Sequence, residues 1–140
     1  MKKFQFKFES ILKLREHKVN LAKEDLAKVI KEKQIRFDNL KINNTEVDEL
    51  LNSSTRDILF LQARNNRIEH IKLLNQKLNK EINNIEEIEN VRREKLAKLL
   101  KEEKIMEKLK ENDFEDFKKE VNKKDSDFID EIANQRAYKR

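Results

Sequence analysis

The sequence predicts an all-α protein in which two long helices form an antiparallel coiled-coil hairpin, the second helix longer than the first. Three observations predict it. The chain of 140 residues contains no glycine and no proline, so nothing in it strongly interrupts a helix. Apolar residues recur every seven positions along two long stretches. Between those stretches lies one run of small polar residues, Asn52, Ser53, Ser54 and Thr55. Charged residues make up 44% of the chain, a level that also suits intrinsic disorder, but the periodicity is too regular for a solvated tail.

The first residues alternate, with Phe4, Phe6 and Phe8 separated by Gln5 and Lys7. Period two predicts a short extended arm leading into a helix; an aromatic staple at a helix start near Ser10 is the other reading. From Glu9 the period is helical. Leu12, Val19, Leu26, Lys33, Leu40 and Val47 form one row, and Ala22, Val29 or Ile30, Phe37, Asn44 and Leu51 form its companion. This predicts helix one over about residues 9–51. The small polar run competes for backbone hydrogen bonds, so a turn is expected at about 52–56, with Ser54 or Thr55 ahead of Asp57 as the new cap. Helix two then runs over about 57–138. Its rows are Ile71, Leu78, Ile85, Arg92, Leu99 and Met106, with Ile68, Ile82 and Leu96 beside them; Phe114, Phe117, Val121, Phe128, Ile129 and Ile132 follow.

A turn centred near residue 54 places Lys33 near Asn75 and Glu16 near Arg92. Lys33 and Arg92 either fix register inside the seam or snorkel out of it. Helix one spans ~65 Å and helix two ~120 Å. The last ~35–40 residues of helix two therefore lack a partner strand, and another protein, a second copy or the Phe arm should cover their apolar stripe. The whole chain is read as one coiled-coil domain.

Composition excludes most chemistry. Without glycine there is no phosphate-cradling loop and no nucleophile elbow, and without cysteine no disulfide, thiolate zinc site or thiol nucleophile. His17 and His70 have no ligand spacing and read as surface residues. No catalytic, cofactor-binding or metal-binding residue is expected, and no enzyme activity. No secretory signal follows the opening residues and no stretch reaches the ~20 apolar residues that cross a bilayer, so a cytoplasmic protein without direct membrane insertion is expected. The net charge is +5. Lys2, Lys3, Lys7, Lys13, Arg15 and Lys18 at the start, with Arg136, Lys139 and Arg140 at the finish, form a basic end suited to an acidic partner.

The opening "FKFESILKLREHKVNLAKEDLA", with Phe6, Lys7, Phe8, Ile11, Leu12, Leu14, Arg15 and Glu16, resembles the start of FliJ proteins. The closing "DFIDEIANQRAYKR", with Asp130, Glu131, Ile132, Ala133 and Arg136, resembles their end. FliJ proteins are coiled-coil central-stalk components of the flagellar type III export ATPase complex, similar in fold to the γ stalk of rotary ATP synthases. The resemblance implies insertion into the export ATPase hexamer, stimulation of it, contact with the membrane export-gate protein, dealings with export chaperones, and a place at the inner membrane of the flagellar base. It implies ring contact through Phe6, Lys7, Phe8, Lys13, Arg15, Arg136, Lys139 and Arg140. It implies gate contact near the turn through Phe37, Leu40, Phe60, Arg64 and Ile68. Family members often carry aromatic residues on helix one near the turn, where this chain has Leu40 and Ile42. Two other function classes stay open: a generic coiled-coil scaffold or homodimer, and a helical nucleic-acid-binding protein. Against the second, the chain's charges are interleaved rather than gathered in one basic block, so no nucleic-acid partner is expected.

Overall fold

A computed structural model describes residues 2–138. Their regular structure is two α-helices, α1 (Glu9–Asn52) and α2 (Ile58–Tyr138), and no strand is present among the described residues. The contacts divide into two compact units. The turn unit is Leu21–Ala97; the terminal unit joins Met1–Asn20 to Lys98–Arg140. In each of them α1 and α2 pack antiparallel.

In the turn unit, Ser53 closes α1. Its N–H donates to Glu49 O at 3.1 Å and its hydroxyl to Leu50 O at 2.6 Å. Asp57 caps α2: its Oδ1 accepts the Leu59 N–H at 3.0 Å, and its carbonyl accepts the Leu61 N–H at 3.0 Å. Ser54 and Thr55 are not the caps expected of them. Thr55 Oγ1 instead accepts the Asp57 N–H at 3.2 Å and so holds the capping residue. A carboxylate at a helix N-terminus gains from the helix dipole as well as from the hydrogen bond, which favours Asp57 over either hydroxyl.

The register differs from the symmetric fold-back. Arg64 lies against Ser53, Arg67 against Glu46, Asn75 against Asn43, Glu81 against Arg36, Glu89 against Lys33 and Arg92 against Asp25. Lys33 therefore does not meet Asn75, and Arg92 meets Asp25 rather than Glu16. Residues 53–57 carry the chain past the end of α1 before α2 starts. The residue level with Ser53 is consequently nearly two turns into α2. The companion row on α1 also shifts by one place: Arg36, Asn43 and Leu50 are half-buried, while Phe37, Asn44 and Leu51 are exposed. A strict seven-residue step from Ala22 lands on Val29, Arg36, Asn43 and Leu50, and phase decides burial where apolarity does not.

Ile68, Ile71, Ile82 and Ile85 of α2 and Ala22 and Leu26 of α1 are buried in this unit. Polar groups interrupt this seam at two levels. Lys33 Nζ donates to both oxygens of Glu89, at 2.6 and 3.1 Å, and Glu89 retains only 7% of its side-chain exposure. Arg93 adds a contact at 3.5 Å. Asn43 Nδ2 donates to Asn75 Oδ1 at 2.9 Å, and Asn75 Nδ2 donates to Asn44 Oδ1 at 3.2 Å. Sliding α1 by one heptad would set Leu26 or Leu40 against Glu89 and take Lys33 and its hydrogen bonds away from a buried carboxylate, leaving only the Arg93 contact. These polar levels thus fix register at some expense of stability, rather than snorkelling free. At the seam's edge, Arg67 holds Glu46 with two hydrogen bonds of 3.0 Å, which lower the Glu46 carboxyl below its usual range.

In the terminal unit, residues 2–6 stay outside the helix and fold along α2. Phe6 is buried with Leu12 and Met106, and Phe4, Phe8 and Leu109 pack against them. Arg15 Nη1 donates to the Glu102 carbonyl at 2.9 Å, and Glu9 pairs with Lys110 at 3.0 Å. Beyond Phe117 every described residue of α2 is exposed. The stretch without a partner is residues 118–138, shorter than the expected ~35–40, because the shifted register and the arm both cover more of α2. Here the apolar row changes phase by one residue: the positions in step with Met106 pass to Asp113, Glu120 and Asp127, and Phe114, Val121 and Phe128 carry the seven-residue step beside them.

Two outcomes follow from this packing. Ile71 has no exposed surface, so Ile71→Ala should lower the unfolding free energy by about 2–4 kcal/mol, whereas the exposed Ile42→Ala should change it by less than about 0.5 kcal/mol; urea melts followed by helical circular dichroism check both. Hydrogen bonds from Lys33 chiefly hold the Glu89 carboxyl below its usual value of 4.5, against the opposing effect of burial. A lowered carboxyl stabilises the fold above the unfolded-state value and ceases to do so as pH falls through the folded value. Glu89→Gln should therefore lower the thermal midpoint at neutral pH, and the gap from the parent should close as pH is taken below 4.5 through the depressed value.

Candidate partner-binding surfaces

The residues expected to touch a ring divide into three kinds. Phe6 is core, and Phe8 is half-buried edge-on to it at 5.9 Å. Arg15 is held by the Glu102 carbonyl and clips α1 to α2. Lys7, Lys13 and Arg136 are exposed; Lys7 Nζ stands 5.6 Å from the Phe8 ring centre, a cation–π contact that leaves the ammonium in water. Lys139 and Arg140 lie outside the described residues. Sequence reasoning thus chose a contiguous basic-aromatic motif whose members have different physical jobs. Alternation put Phe6 inward and Lys7 outward, a split that period two does signal.

The seat of the arm on α2 went unforeseen. Phe4 meets Phe114 edge-on at 5.1 Å and tilts against Phe117 at 5.5 Å. Lys118 Nζ sits 4.6 Å from the centre of the Phe114 ring. Lys2 and Lys3 line a cleft with Asp113, Asp116 and Glu120. Past the arm, Val121, Phe128, Ile129 and Ile132 continue the apolar stripe in solvent, Phe128 being 63% exposed. The surroundings of this stripe are acidic. Residues 111–138 hold nine Asp and Glu against five Lys and Arg, a net of −4 in a chain of +5. The basic end expected at the carboxy terminus is therefore confined to its last residues.

Near the turn, the five residues expected at a gate contact also separate. Ile68 is buried in the seam and Leu40 is half-buried. Arg64 donates to the Ser53 carbonyl at 3.5 Å, its Nε is buried without a partner, and its task is to hold the turn. Phe37 and Phe60 are each 41% exposed. Ile58 and Leu59 join Phe60 in the open, with Leu59 75% exposed. The signal for this patch was in the sequence: three consecutive large apolar residues at the head of a helix cannot all face one seam.

His17 and His70 are exposed, and among the described residues no group of three His, Asp or Glu side chains is placed to hold a metal ion. Among the described residues no helix is long and apolar enough to cross a membrane. What both surfaces offer is exposed aromatic and aliphatic area bordered by charge, the composition of protein contacts. Leu59→Ala with Phe60→Ala should leave the thermal midpoint within about 2 °C of the parent while weakening capture of any partner that docks at the turn; parallel thermal melts and pull-downs from a lysate of the source cell check this.

Comparison with known proteins bears on which partners these are. No curated protein and no solved structure matches the chain. A family model described as "Flagellar FliJ protein" matches residues 4–140. That span includes the Phe arm, both helices and the overhanging stripe, so the chain belongs to the flagellar FliJ protein family.

Proposed function

We propose that this chain is a non-enzymatic coiled-coil stalk of the flagellar type III export apparatus. Its terminal unit seats in the export ATPase ring and stimulates it, and the exposed apolar residues by the turn face the membrane export gate. Export chaperones are further partners. The place of action is the cytoplasmic face of the inner membrane at the flagellar base. The observation that supports this most is the pairing of the family match with the bare stripe Val121, Phe128 and Ile132 on a helix that has outrun its partner. An isolated helix of about 20 residues is marginal in water, so the stripe gains its ordering from whatever covers it.

The stimulation is allosteric. The ring hydrolyses ATP by its own groups, and the stalk raises the rate by binding one arrangement of ring subunits better than another. Of the expected ring contacts, Lys7, Lys13 and Arg136 are the exposed cations open to acidic or carbonyl groups of a pore. Arg15 is engaged with Glu102, so changing it tests the fold as much as the contact.

The same stripe also fits a homodimer, in which a second copy covers Phe128 and Ile132. Sedimentation at micromolar concentration separates the readings: a stalk is monomeric alone. Lys7→Glu, Lys13→Glu and Arg136→Glu combined should raise the concentration of half-maximal stimulation of the cognate export ATPase by about tenfold at low salt, with helicity unchanged. Unchanged stimulation by the folded triple variant rejects the basic contact, and no stimulation by the parent chain rejects the stalk.

A further inference from the structure

The terminal unit shows how its own acidic stripe is recognised. Residues 3–8 alternate polar and aromatic side chains: Phe4 lies on Phe114 and Phe117 and Phe6 enters the core, while Lys2 and Lys3 line a cleft with Asp113, Asp116 and Glu120. Among the described residues Lys2 and Lys3 close no ion pair within 4 Å, and the arm makes no backbone hydrogen bond to α2. Seating therefore rests on aromatic contact and on charge across a wet cleft. The same pattern repeats beyond the arm's reach. Val121, Phe128 and Ile132 continue the apolar row, and Glu120 and Asp127 continue the acidic row begun by Asp113 at seven-residue steps. Seven residues is nearly two helical turns, so the acids form one flank of the stripe.

We propose that this stretch of α2 is a docking surface for a partner segment that alternates large apolar side chains with Lys or Arg, and that residues 2–5 are the internal occupant of its first position. The segment lays aromatic or aliphatic side chains on Val121, Phe128 and Ile132 while its cations follow Glu120 and Asp127. Where it extends to Phe114 and Phe117 it displaces Phe4, so the arm is a strap that a longer ligand lifts. The surface stands on the chain's own contacts and does not depend on the partner being an ATPase ring.

The chain has no tryptophan, so Phe128→Trp supplies a single reporter in the full-length protein. The probe is a synthetic peptide with the sequence of residues 2–8, Lys-Lys-Phe-Gln-Phe-Lys-Phe. The expected result is a saturable blue shift of the emission. The shift should weaken by about tenfold when the peptide lysines are changed to Glu, or when Glu120→Gln and Asp127→Asn are combined in the protein, with helicity unchanged. No saturable shift with the parent peptide overturns the surface. Equal binding of the Glu-bearing peptide overturns the acidic row. A shift that follows protein concentration without peptide assigns the stripe to a second copy and overturns the proposal.

Discussion

Lys33 and Glu89 meet inside a seam that is otherwise mostly Leu, Ile and Val, and their hydrogen bond of 2.6 Å ties one helix to one position along the other. A two-helix seam with a seven-residue repeat has little else to choose its register, because moving one helix by seven residues returns a similar apolar row. The Asn43–Asn75 level repeats the choice nearer the turn. Once these pairs are set, Arg64 falls beside Ser53 and can close the turn, and Arg67 falls beside Glu46. The terminal unit carries its own fastening in Glu9–Lys110, Arg15–Glu102 and the Phe6 cluster. The interior of this protein is thin, so polar pairs do work that shape complementarity does in a thicker core.

The exposed apolar area has a physical origin of its own. α2 is 81 residues long and α1 is 44, and no arrangement of these two helices alone can cover the longer one. The surplus is not plain overhang. Phe114 and Phe117 lie under the arm; acids and lysines occupy the former seam positions from Asp113 onward, and Val121 and Phe128 continue the row of Phe114, one residue out of the seam phase. A helix that stayed apolar in the seam phase would present a ready-made strand for indiscriminate coiled-coil pairing. Changing the phase while adding charge narrows the set of partners that fit.

Much of this was legible in the sequence. The absence of Gly and Pro and the run from Asn52 to Thr55 disclosed two helices and the place of the turn, because both are local effects. Register is not local. It depended on how residues 53–57 climb, and on Glu89 and Asn75 being seam residues although they are polar. Phe37 and Leu51 were read as seam because they are apolar, whereas Arg36 and Leu50 hold those positions in phase. The arm's alternation was visible, but its seat on Phe114 and Phe117 required the register first. The patch of Ile58, Leu59 and Phe60 was only half seen, through Phe60, since attention to the periodic rows hides residues that break them.

The one-residue change of phase beyond Met106 has a consequence in direction. Neighbouring residues of an α-helix point about 100° apart. Phe114, Val121 and Phe128 keep a seven-residue step but stand one place after the row of Leu99 and Met106, so they point about 100° away from it. A partner that covers Val121 and Phe128 therefore approaches α2 around its side rather than in line with the seam.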